Sequence, residues 1–97
     1  MDTLSTAEKI ERKMRTVLDA QRVEVIDESW KHAGHGATGH FVLRVVSPRF
    51  EGVSQLDRHR MVFAALSEEM GSAIHALSVK ALTPAEAQAP VAQASRS

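Results

Sequence analysis

Apolar side chains recur at Ile10, Met14, Val17 and Leu18, the intervals at which residues return to one face of a helix. Ser5 and Glu8 stand just upstream at capping-box spacing, so a first helix is predicted over residues 6–20. The period then changes. Val23, Val25 and Ile26, and later the run Phe41-Val42-Leu43-Arg44-Val45-Val46, are rich in β-branched residues and predict two strands, over residues 22–27 and 40–46. Residues 28–39 between them form a loop. Ser47-Pro48 ends the second strand, because proline has no N–H to give to a ladder and biases its predecessor away from helix. After a turn at Phe50-Glu51-Gly52, Ser54 and Asp57 signal a second helix. Val62, Leu66 and Met70 recur along it every four residues, with Ala65 on the same face and Gly71 as its stop. Residues 74–81 predict a third strand. Beyond Thr83 the chain is rich in Ala, Gln, Pro and Ser with hardly a large apolar residue, so residues 85–97 are expected to be a disordered tail behind a domain at 1–84.

The order α-β-β-α-β defines an α+β domain. Its first two strands are close enough in sequence for an antiparallel hairpin, whereas a helix separates the second from the third and permits a crossover to a parallel neighbour. The expected architecture is a three-stranded mixed sheet with both helices on one face.

Composition narrows the function. At 97 residues there is room for one core, and with 43% hydrophobic but only 4% aromatic residues it must be built from aliphatic side chains. Twelve basic residues balance twelve acidic ones, which argues against a general coating of nucleic acid, since that affinity comes from displacing counterions. Cysteine is absent, so disulfides, a thiol nucleophile and a Cys-only iron–sulfur site made by this chain alone are excluded. Met1-Asp2-Thr3-Leu4-Ser5 has neither the basic start nor the apolar run of a secretory signal, and no stretch reaches membrane-spanning length. A cytoplasmic protein, monomeric or weakly dimeric, is expected.

Three of five histidines, His32, His35 and His40, lie in or beside the loop among Gly34, Gly36 and Gly39. Imidazole ligates zinc, copper and iron, and glycine lets a loop close around an ion, but a solvated polar loop has the same composition. His75, at the start of the third strand, reads by itself as a hydrogen-bonded structural residue rather than a ligand. Arg58-His59-Arg60 opens the second helix, where positive charge opposes the helix dipole. Such a cluster fits a phosphate, a carboxylate or an acidic partner, or a solvated face with local ion pairs. Trp30 is either packing or an interface anchor. Gly36-Ala37-Thr38-Gly39 has the GxxG form of KH domains but precedes a strand rather than joining helices, so the match is accidental. No nucleophile elbow, distinctive carboxylate pair or P-loop is present, and the chain reads as a non-enzyme.

Several segments in order resemble the successive signatures of the BolA family: Val25-Ile26-Asp27-Glu28-Ser29, His40-Phe41, Val45-Val46-Ser47, Arg49-Phe50-Glu51-Gly52, Arg58-His59-Arg60-Met61-Val62 and Ile74-His75-Ala76-Leu77. The likeness spans about residues 10–84. It implies a KH-like α-β-β-α-β fold and a partnership with monothiol glutaredoxins of the CGFS type, with a [2Fe-2S] cluster bridging the two proteins. The glutaredoxin cysteine and glutathione supply sulfur; BolA-like proteins supply a histidine matching His75 and a loop ligand for which His32 is the best positional match. His35 competes with His32 for that place. After Thr83-Pro84 many relatives carry an aromatic residue where this chain has Ala85-Glu86-Ala87, so its final helical turn is expected to be weak.

Two function classes follow: an adaptor in iron–sulfur maturation, trafficking or iron regulation, and a DNA-binding transcriptional regulator. The DNA contacts of the second would be Arg58, Arg60, Arg49 and Arg44, with His59 beside them. A zinc site made by His32, His35 and His40 is a more distant reading.

Overall fold

The computed structural model describes residues 4–28 and 39–88. The first helix, α1, spans Thr6–Val17, and its start is the capping box expected: Ser5 Oγ accepts from the Glu8 amide while Glu8 Oε1 accepts from the Ser5 amide. It ends three residues earlier than predicted. Leu18 is the C-cap and Asp19 takes a positive φ of 52°, a left-handed conformation that aspartate tolerates better than most residues. That reversal brings the Gln21 amide to the Val46 carbonyl and starts β1, Arg22–Asp27.

β1 pairs antiparallel with β2, His40–Val46, and β2 pairs parallel with β3, Ala76–Leu82, giving the sheet order β1-β2-β3. The register sets Val25, Leu43 and Val79 in one cross-strand row and Val23, Val45 and Ala81 in the next. This face packs on Ile10, Met14 and Leu18 of the α1 region and on Val62 and Leu66 of the second helical region, with Phe50 wholly buried among them. The alternate positions form the opposite face, where Ile26 is exposed beside Val42 and Ser78.

Between β2 and the second helix, Pro48–Phe50 forms a 3-10 turn. Ser47 is fully buried there, its hydroxyl donating to the Leu18 carbonyl and accepting from the Arg49 amide, so the end of β2 is tied to the end of α1. The second helix, α2, is Gln55–Ala65 behind the Ser54 cap. It stops short of Gly71; residues 66–69 continue as turns, and a Met70 to Ile74 bridge precedes β3, which begins at Ala76 rather than at Ile74. Leu66 and Ile74 are nevertheless fully buried, because burial follows the apolar spacing even where the helical hydrogen bonding has ended.

A short element stands at the expected end of the domain. Residues Pro84–Ala87 form a short helix, α3, with a complete capping box in which Thr83 Oγ1 accepts from the Glu86 amide and Glu86 Oε1 accepts from the Thr83 amide. The turn lacks an aromatic anchor but is held through its polar groups. Residues 89–97 lie outside the described residues.

Candidate functional site

His75 stands one residue before β3 and is exposed. Its place is fixed by the main chain: the His75 and Ala76 amides both donate to the Gly39 carbonyl, at 2.9 and 3.2 Å. Gly39 is buried and immediately precedes β2, whose first residue, His40, registers with Ala76. At the other end of the loop, the Glu28 amide donates to the His40 carbonyl at 2.7 Å. The segment between Glu28 and Gly39 therefore leaves on the β1 side of β2 and re-enters the fold at Gly39, beside His75. His32, His35 and Trp30 belong to that segment and lie outside the described residues, as does most of the GxxG stretch.

The two described histidines nearest in role differ in what their rings do. His59, half-buried on α2, has Nδ1 at 2.9 Å from the Gln55 carbonyl and Nε2 at 3.1 Å from the Val79 carbonyl, so both nitrogens are engaged with the backbone. It reaches from α2 to β3 with a backbone carbonyl facing each ring nitrogen. His75 has no ring hydrogen bond among the described residues. The residue is exposed, which is the access a metal ligand requires. Among the described residues no three His, Asp or Glu side chains gather as a metal set, so further ligands for a centre at His75 must come from the loop or from another molecule.

The cationic residues do not form the patch that the sequence suggested. Arg58, expected on the exposed side of α2, is only 6% exposed. Its Nε donates to the Val53 carbonyl at 2.8 Å, Nη1 to the Ala81 carbonyl at 3.1 Å and to Glu86 Oε1 at 2.7 Å, and Nη2 to Glu86 Oε2 at 3.3 Å. The guanidinium carbon also lies 5.9 Å from the centre of the Phe50 ring. Helical spacing places Arg58 one turn before Val62, on the buried stripe, and the fork geometry of arginine lets that stripe carry a charge. The Arg58 hydrogen bond, followed by the Thr83 amide, holds the Glu86 carboxyl below its ordinary range.

The other three candidate arginines are exposed or half-buried, and each has a carboxylate: Arg60 with Asp57 at 3.2 Å, Arg49 with Asp19 at 2.7 Å and Arg44 with Glu24 at 3.8 Å. Arg44 alternates with the buried Leu43 and Val45, so it projects from the sheet face opposite α2 and the sheet separates it from Arg58 and Arg60. Sequence reading also missed the Lys13 cluster. Lys13 Nζ meets Glu68 at 2.7 Å and Glu69 at 3.0 Å, tying α1 to the turns after α2; these hydrogen bonds raise the Lys13 pKa and lower that of Glu68. Two surface hollows of about 340 and 220 Å³ run along α1 and contain no candidate ligand. Among the described residues, no helix is long and apolar enough to cross a membrane.

The three-stranded mixed sheet with its helices belongs to a known domain class. The model of the BolA family, described as BolA-like protein, matches residues 14–86, and the chain belongs to that family. It is 47% identical over 78 residues to BolA-like protein 1 of Homo sapiens, covering 79% of this chain and 57% of that protein. It is 40% identical over 77 residues to the DNA-binding transcriptional regulator BolA of Escherichia coli (strain K12), covering 78% of this chain and 73% of that one. Among solved structures, the BolA domain of SufE1 from Arabidopsis thaliana superposes with a TM-score of 0.77 at 44% identity, over 88% of this chain and 99% of that domain. The chain spans little more than half the length of the human relative. The matched region ends at Glu86, the partner of Arg58, in agreement with a domain that includes α3.

Proposed function

We propose that this chain is a non-catalytic cytoplasmic adaptor that binds a monothiol CGFS glutaredoxin carrying glutathione and shares a [2Fe-2S] cluster with it. The reading rests on one observation above the others: His75 is exposed, its ring is unpartnered among the described residues, and it sits where the histidine-bearing loop rejoins the sheet. The donor set fits a shared centre. Imidazole from His75, and from His32 or His35, can ligate iron, whereas a chain without cysteine must take its thiolates from a partner. When bound, the cluster would supply an electron-transfer or transferable iron–sulfur unit. This chain's own part is to present His75 on a rigid backbone and to dock the partner.

The direct test mixes the purified chain with a CGFS glutaredoxin, glutathione, ferrous iron and sulfide, and records the visible spectrum and native mass. A one-to-one complex carrying one [2Fe-2S] unit, with a spectrum distinct from that of glutaredoxin alone, is expected. Formation of the glutaredoxin homodimer cluster only, with this chain left free, would overturn the proposal.

The name of the Escherichia coli relative favours a second reading, DNA binding. The zero formal charge and the internal use of Arg58 weigh against it, and Arg44, Arg49 and Arg60 remain its contacts. Duplex titration at several salt concentrations distinguishes the readings, since phosphate contacts give log affinity a linear fall with log salt.

A further inference from the structure

Gly39 is one of three glycines in the described residues with positive φ, at 71°, beside Gly52 at 75° and Gly71 at 83°. All three therefore carry a conformational reason for glycine. Only Gly39 carries a steric one as well. A Cβ built there would stand 2.5 Å from the Ala73 carbonyl oxygen, 2.9 Å from His75 Cδ2 and 3.1 Å from the His75 amide nitrogen, whereas one at Gly52 or Gly71 would meet nothing within 4 Å. The His75 ring thus lies against the bare α-carbon of Gly39, while the Gly39 carbonyl holds the His75 and Ala76 amides.

We infer that Gly39 is the positioning residue for His75: its missing side chain seats the imidazole and its carbonyl fixes the backbone that carries it. This rests on the proposal that His75 is a cluster ligand and says how the fold presents that ligand. A ring held against one surface and anchored through two amides has fewer orientations to lose when a metal binds, so its contribution to affinity is larger than that of a free histidine. In sequence the same glycine follows the segment that bears His32 and His35. A Cβ at Gly39 must displace residues 73–75 or the loop end, because its nearest obstacle is backbone rather than the tip of a flexible chain.

The test compares Gly39→Ala with Gly52→Ala, which imposes the same left-handed strain without the collision. Both are expected to lower the urea midpoint. Only Gly39→Ala is expected to shorten the lifetime of the cluster shared with glutaredoxin, on the order of 10-fold or more, as loss of a group that orients a ligand commonly does. It should also shift the g-values of the reduced cluster, which a loss of stability alone leaves in place. Equal lifetimes and g-values in the two variants would overturn the inference. The second measurement needs no substitution and no metal: a nuclear Overhauser contact between Gly39 Hα and His75 Hδ2 in the isolated wild-type chain. Its presence supports the seat, and its absence overturns it even if Gly39→Ala does not fold. If His75→Ala leaves the cluster unaltered, the shared-cluster proposal falls while the Overhauser contact still decides the geometry.

Discussion

Arg58 and Glu86, 28 residues apart, form a two-point ion pair that fastens α3 to α2, with Nη1 to Oε1 at 2.7 Å and Nη2 to Oε2 at 3.3 Å. Glu86 simultaneously caps its own helix through Thr83. One carboxylate therefore satisfies a buried guanidinium and the first turn of the last helix, which is why a four-residue helix without buried apolar residues keeps its place.

Replacing that arginine should be a stability experiment before it is a binding experiment. Arg58→Ala leaves the Val53 and Ala81 carbonyls and Glu86 without their donor, and a loss of about 2–4 kcal/mol is expected. Arg60→Ala, at an exposed pair with Asp57, should stay within about 0.5 kcal/mol of wild type. Urea denaturation reads both. Two similar midpoints would show that the Arg58 pairing does not contribute as its burial implies, and only Arg60→Ala is a clean probe of partner or DNA affinity.

Acid should loosen the same latch. The folded state holds the Glu86 carboxyl below its ordinary value of 4.5, first through Arg58 and then through Thr83. A depressed folded pKa adds stability that is present above the unfolded value and is lost as pH falls through the folded one. Stability should therefore decline below about pH 4.5 more steeply in wild type than in Glu86→Gln, whose amide does not titrate. The Glu86 side chain is 44% exposed, so solvent screens the pair and the difference in slope should be modest. Lys13 with Glu68 behaves alike at acid pH, and comparison with Glu86→Gln removes that shared part. Parallel acid limbs in the two proteins would contradict the latch.

The three strands, their mixed pairing and most of the core could be read from the sequence because each strand carries its β-branched run and each helix its four-residue spacing. Ile10, Met14, Val62 and Leu66 are buried as that spacing requires. Helix ends were less legible, since α1 closes on a left-handed Asp19 and α2 gives way to turns at residue 66 while the apolar pattern runs on. Arg58 was misjudged for a definite reason: charge suggested the surface, whereas its phase with Val62 already pointed inward. The Thr83 and Glu86 pair has capping-box spacing and was readable. What it fastens was not, because its partner lies on another element. The fit of His75 against Gly39 depends on a contact between positions 36 apart in the chain and leaves no local pattern beyond the glycine itself.

The histidines separate structure from ligation. His59→Ala removes a ring whose two nitrogens bridge α2 and β3, so it should cost about 1–2 kcal/mol in stability while leaving the spectrum of a shared cluster unchanged. His75→Ala should do the reverse, because the ring is exposed and its anchoring amides remain: a midpoint within about 0.5 kcal/mol of wild type, with altered cluster absorbance and a shorter cluster lifetime. The loss should exceed that in His32→Ala. His35 stands close enough in sequence to replace His32, whereas His59 has a backbone carbonyl facing each of its ring nitrogens. Calorimetry of each variant with metal-free glutaredoxin should show that docking survives all three changes, so that a spectral change reports ligation and not dissociation. A cluster loss in His35→Ala with none in His32→Ala would transfer the loop position to His35. An unchanged spectrum and lifetime in His75→Ala would remove His75 from the centre, and with it the observation on which the adaptor reading stands.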